Sequence, residues 1–184
     1  MSLPAYLWHP VFVHFSIALL TIATGLYLLA GVFRKAALRG QWIVVAEWNL
    51  WMGFGFMAFT LLFGWIAFNT VSHDSDAVHE LMEAHALLAL ITFGGFAVST
   101  LWSVRHRRSG SYPSVPFIGL MLICFGLLAA TGWRGGDLVY RHGLAVDSPP
   151  LPAAHSSAES EPPAPPDKNA SPTHHHHDGK DHVH

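Results

Sequence analysis

Histidine stands in this chain where it is costly. The segment "WHPVFVHFSIALL", residues 8 to 20, holds His9 and His14 before an apolar run, and "HELMEAHALLALITF" carries His85 into another. An imidazole in hydrocarbon needs water, a hydrogen-bond partner or a ligand, and an ionisable group inside a membrane span is a candidate functional site by default. His9 and His14 are five residues apart, which on a helix is roughly 7 Å along the axis and about 140° around it. One face cannot hold both. Pro10 suits a first helical position because it lacks an N–H, so His9 is expected at the interface and His14 inside. His14 heads a stripe with Ala18, Thr21 and Gly25, and His85 enters its run at a similar depth. Two such imidazoles on different helices can hold the iron of haem b axially. Arg134 or Arg141 would then meet the propionates through charge-assisted hydrogen bonds, with His9 and His142 as neighbouring or alternative ligands. Two other readings of His14 and His85 stay open. One is a metal-ion or proton site; the other is plain hydrogen bonding to each other, to Thr21 or Thr92, or to backbone carbonyls.

Two further clusters carry metal-binding chemistry. In "HDSDAVHELMEAH" His79 and Glu83 share a helical face and can bind one ion, with His73, Asp74 and Asp76 nearby; a solvated helix start with favourably placed acids explains the same residues. The C-terminal segment "HHHHDGKDHVH" offers His174, His175, His176, His177, His182 and His184 beside Asp178 and Asp181. Neutral imidazoles there take copper, zinc or nickel, copper(II) most tightly. Four histidines followed by "DGKDHVH" do not match a designed affinity tag.

The elements that position these residues follow from composition. Of 184 residues, 51% are hydrophobic and 12% charged, half the charge of a soluble domain. Residues 10–33, 48–68, 84–104 and 112–133 are uncharged, each long enough to cross about 30 Å of hydrocarbon. They do not alternate as barrel strands do. The fold expected is therefore an all-α integral membrane protein, an up-down bundle of four transmembrane helices at about 9–33, 47–69, 77–105 and 113–134 within a domain of residues 1–147. The first run has no basic residue before it and is longer than a signal-peptide core, so it is expected to stay in the membrane. Arg34, Lys35 and Arg39 follow the first run, Arg105, Arg107 and Arg108 follow the third, and the loop between the second and third is acidic. By the positive-inside rule both termini lie outside, periplasmic in a bacterial inner membrane. Trp8, Trp65 and Trp133 at one side, with Trp48, Trp51 and Trp102 at the other, form the expected interfacial belt. Residues 148–184, beginning "SPPLPAAHSSAESEPPAPPDKNASPT", are rich in Pro, Ala and Ser and read as a disordered periplasmic tail. Cys124 lies mid-run and reads as a small core residue. No internal repeat or nucleotide-binding motif stands out, nothing suggests a nucleic-acid partner, and no nucleophile elbow, phosphate loop or catalytic carboxylate pair suggests an enzyme.

Small or polar residues recur at helical spacing in the other runs too: Asn49, Gly53, Thr60 and Gly64; His85, Ala89, Thr92 and Ser99; Gly119, Gly126 and Ala130. Such stripes let membrane helices pack closely. "HPVFVHF" and "TGWRGGDLVYRHG" (residues 131–143) together resemble a bacterial family of small four-helix membrane proteins, domain-of-unknown-function family 2231, over about residues 3–145. Proline usually follows "VHF" in that family, where Ser16 stands here; this implies less helix distortion. The resemblance implies a four-helix inner-membrane fold and a shared pattern at His9, His14, Gly135, Gly136, Asp137 and His142, but no activity. The glycines of "GWRGGDL" let the backbone bend or approach a neighbour, which would carry Tyr140 and His142 over the outer mouth, towards His9. The leading expectation is a haem b protein passing electrons between a membrane partner, or quinol, and a periplasmic acceptor. The alternatives are periplasmic metal handling through the tail, with a metal-handling partner, and a non-catalytic structural subunit.

Overall fold

A computed structural model describes residues 8–70, 76–109 and 113–142. It contains four helices: α1 (Trp8–Val32), α2 (Arg39–Thr70), α3 (Asp76–Ser109) and α4 (Val115–His142). All four are long and apolar enough to cross a membrane. There is no strand among the described residues. The tail expected to be disordered, with its candidate metal-ligating histidines, lies outside the described residues, as do His73 and Asp74. The helices outrun the uncharged segments, because α2 begins at Arg39 and takes in Trp42 and Glu47. Arg39 starts it by donating from Nε to the Ala30 carbonyl at the end of α1, at 2.9 Å.

Each helix turns a narrow seam inward and leaves its bulky aliphatic side exposed. In α1 the buried seam is Ser16, Leu20, Ala23, Thr24, Tyr27 and Ala30, while Val11, Ile22, Leu29 and Val32 face out. The physical cause is the solvent: lipid rewards no burial of aliphatic carbon, so close backbone approach and hydrogen bonding select the interior. Gly53 of α2 is one such approach, since a Cβ there would lie 2.9 Å from Leu20. The tight pairs are α1 with α2 and α3 with α4; α2 with α3 and α1 with α4 close the ring more loosely, and the diagonal helices make no close backbone approach. Leu20, Leu50, Met57, Phe96, Met121, Cys124 and Leu128 fill the middle, so Cys124 is a buried free thiol.

The stripes assigned from sequence divide. Gly53, Thr92 and Ser99 are buried, and Thr60, Gly64, His85 and Ala89 partly so. The α1 stripe does not hold: His14, Ala18, Thr21 and Gly25 are all exposed, as are Gly126 and Ala130 of α4. In α1 two faces carry small or polar residues, and the one that packs contains His9 and Ser16. The helix α4 runs unbroken through Gly135 and Gly136 to His142. The expected bend is therefore absent, and Tyr140 points away, 91% exposed. The His142 side chain lies outside the described residues.

Candidate functional site

At the end of the bundle where α1 begins, His9 points inward from the first turn. Its Nδ1–H donates to the Thr60 carbonyl of α2 at 2.9 Å. A carbonyl can only accept, so Nδ1 carries the proton and Nε2 is left as a lone-pair nitrogen. The imidazole rests on Gly64, one turn beyond Thr60: a Cβ there would lie 2.9 Å from Cε1 and 3.0 Å from Nδ1. Below it Ser16 donates to the Phe12 carbonyl at 2.9 Å, and its Oγ lies 3.0 Å from Thr60 Oγ1. The serine standing in place of proline thus ties α1 to α2.

His85 of α3 is held in the same way by α4. Its ring rests on Gly135, where a Cβ would lie 3.1 Å from Cε1. It lies beside the Thr131 backbone and within electrostatic range of His9 and Arg134. Its buried Nδ1 completes no well-aligned hydrogen bond. Thr92 Oγ1, two turns down α3, lies 3.0 Å from Thr131 Oγ1. His9 and His85 therefore sit on diagonal helices at the same end of the bundle, each ring seated on a glycine of the next helix.

This correspondence extends down the bundle. Residues of α1 and α3 that are 76 positions apart occupy equivalent places, as do residues of α2 and α4 that are 71 apart. His9, Ser16 and Leu20 match His85, Thr92 and Phe96; Leu50, Gly53, Met57, Thr60 and Gly64 match Met121, Cys124, Leu128, Thr131 and Gly135. Contacts repeat with them. Leu19 meets Gly53 as its counterpart Gly95 meets Cys124. Tyr27 Oη and Ser103 Oγ, themselves counterparts, hydrogen-bond across the centre at 3.1 Å. By these matched positions the described bundle reads as two helical hairpins in approximate two-fold correspondence, the parallel kind of repeat known in membrane folds, with α1 and α2 packed more closely than α3 and α4. No repeat stood out in the sequence because only interior positions keep the pattern, while lipid-facing ones need only be apolar.

His14 belongs to no such site. Its Nδ1–H donates to the Pro10 carbonyl of its own helix at 2.6 Å, and the ring is exposed. The two histidines do point apart, and it is His9, not His14, that is partly buried at the end of the bundle that holds His85. Arg134, exposed, lies next to Gly135 and near His85. Arg141 instead pairs with Asp137 at 3.0 Å. His79 and Glu83 do share a face, 3.3 Å apart and exposed. Among the described residues, however, no three His, Cys, Asp or Glu side chains gather to hold a metal ion. At the opposite end lies a group that the sequence reading missed: Glu47, only 7% exposed, accepts from Arg107 Nη1 at 2.9 Å. A carboxylate one residue before an apolar run, with an arginine on another helix, was the available signal.

Residues 7–148 match the family described as Predicted membrane protein (DUF2231), and the chain belongs to that family. No curated protein and no solved structure matches it.

Proposed function

We propose that this membrane protein is a haem b-binding electron carrier, in which His9 and His85 would hold the iron and Arg134 would meet a propionate. The observation that carries this reading is the pair itself: one imidazole from each hairpin, on diagonal helices, with His9 oriented by a carbonyl so that Nε2 is free to ligate. A carbonyl acceptor on the distal nitrogen is the usual support of a metal-bound histidine. The looser seam between the hairpins is where a flat ring would enter, and bundles build cofactor sites from facing helices. By the positive-inside rule this end faces the periplasm of a bacterial inner membrane, so a periplasmic redox protein is the proposed acceptor and a membrane partner or quinol the donor. Copper, zinc or nickel capture by the tail histidines remains a separate reading from sequence.

Oxidised and reduced spectra of protein purified from haem-replete cells test the proposal. A Soret band is expected for the parent and for His14→Ala, and its loss for His9→Ala and His85→Ala. A parent without the band, or a band that survives both substitutions, overturns it.

A further inference from the structure

The second polar cluster lies at the other end of the bundle, where all four helical segments wall one small cavity. Tyr27 of α1, Glu47 of α2, Ser103 and His106 of α3, and Pro113 and Phe117 at the start of α4 line it, and it has room for about one water molecule. Glu47 spends one carboxylate oxygen, Oε2, on Arg107; Oε1 accepts no hydrogen bond from the described protein. Tyr27 and Ser103 share their hydrogen bond at the cavity wall. His106 is held there by stacking on Trp102 (5.9 Å, 12°) and by the edge of Phe117.

The correspondence shows that packing does not require these charges. Glu47 and Arg107 correspond to Ile118 and Gly31, and that pair makes the equivalent contact between α4 and α1: a side chain on Gly31 would run into Ile118. His106 corresponds to Ala30, which is fully packed. The same fold thus closes one seam with a methyl group against glycine and the other with an ion pair. A buried ion pair is on average no more stable than an apolar contact of similar size, and polar groups inside a span mark binding or proton-handling sites.

We infer that the cavity is a proton-exchange site, in which one bound water links Glu47 Oε1 to the Tyr27 and Ser103 hydroxyls and the His106 imidazole. A proton from the arginine-rich side reaches Glu47 through that water, and the neutral acid releases Arg107. The guanidinium stays at the surface over the Trp51 ring, 5.2 Å from its centroid. The titratable and charged groups facing Glu47 are Tyr27 from α1 and His106 and Arg107 from α3; α4 contributes Phe117. Arg39 is held nearby on the Ala30 carbonyl. Ser16 and Tyr27 are eleven residues apart, roughly 16 Å, and Leu20, Leu50, Phe96 and Met121 fill the interval. This site therefore exchanges with its own side and not with the histidine pair.

Infrared difference spectra of the full chain in nanodiscs, recorded on acidification, test this. The C=O bands of all the carboxylic acids rise on acidification; the component belonging to Glu47, which shifts in D2O, is expected in the parent and is lost in Glu47→Gln. The double variant Glu47→Ile with Arg107→Gly, which copies the Ile118–Gly31 contact, is expected to fold with unchanged thermal stability and to lack that component. An identical band in Glu47→Gln, no such component in the parent at any pH at which it stays folded, or a double variant that fails to fold overturns the inference.

Discussion

Gly64→Ala is the sharpest probe of the histidine site, because it adds one carbon at a position the structure defines. The new Cβ would lie 2.9 Å from His9 Cε1 and 3.0 Å from Nδ1, where carbon pairs prefer about 3.5–4.0 Å. The imidazole must withdraw from α2, and its 2.9 Å hydrogen bond to the Thr60 carbonyl stretches or breaks. Crowding a packed interior costs about 1–3 kcal/mol, and a lost hydrogen bond adds about 0.5–1.5 kcal/mol. Alanine recovers about 0.5–1 kcal/mol of helix preference over glycine. Gly55→Ala and Gly94→Ala share that gain without the crowding, since nothing lies within 4 Å of a Cβ at either. Measured against these controls the propensity cancels, leaving Gly64→Ala less stable by about 1.5–4.5 kcal/mol. Gly135→Ala falls between, because the nearest atom of His85 is 3.1 Å away and its Nδ1 has no good hydrogen bond to lose. Detergent-titrated unfolding of the four variants, with or without bound haem, reads the order directly. If Gly64→Ala and Gly94→Ala agree within about 0.5 kcal/mol, the scatter of neutral substitutions, the ring does not rest on Gly64 and the site geometry is wrong.

Other outcomes follow from single contacts. Tyr27→Phe and Ser103→Ala should each cost about 0.5–1.5 kcal/mol. The double variant should cost much less than their sum, since one hydrogen bond across the axis serves both; a double-mutant cycle by unfolding checks this. Arg107→Met should destabilise by about 1.5–3 kcal/mol, the worth of a hydrogen bond to a charged group, because it strands the buried Glu47 carboxylate; Arg141→Met, at an exposed helical pair, should change thermal stability by no more than about 0.5 kcal/mol. Deleting residues 148–184 should leave the Soret band intact and abolish metal retention on a copper- or nickel-loaded column comparison; loss of the band would place haem ligation in the tail.

The two approximately equivalent hairpins give the ends of the bundle different characters. At the histidine end the symmetry is kept, each hairpin supplying an imidazole, a hydroxyl and a glycine seat. At the arginine end it is broken, with Glu47, His106 and Arg107 set against Ile118, Ala30 and Gly31. A ligand needing two like donors suits the first arrangement, and a one-sided proton site suits the second.

Sequence alone determined the four spans, because crossing hydrocarbon demands some twenty apolar residues whatever the neighbours are. It also determined that His9 and His14 cannot share a face, which is helix geometry. It paired His85 with His14, which the bundle leaves exposed, and it marked Thr60, Gly64 and Thr92 as close-packing positions. What it could not decide was which face of α1 turns inward. In water the aliphatic side would have been the buried one; in lipid both faces of α1 are tolerable outside, and two of them offered small and polar residues in helical register. Only the assembled bundle breaks that tie. Ser16 meets Thr60 and Leu20 meets Gly53, and this rotation turns His9 onto the Thr60 carbonyl and leaves His14 on its own helix. The same holds for Glu47: its charge was visible in the chain, but its burial against Arg107, 60 residues away, exists only once α2 and α3 are packed together.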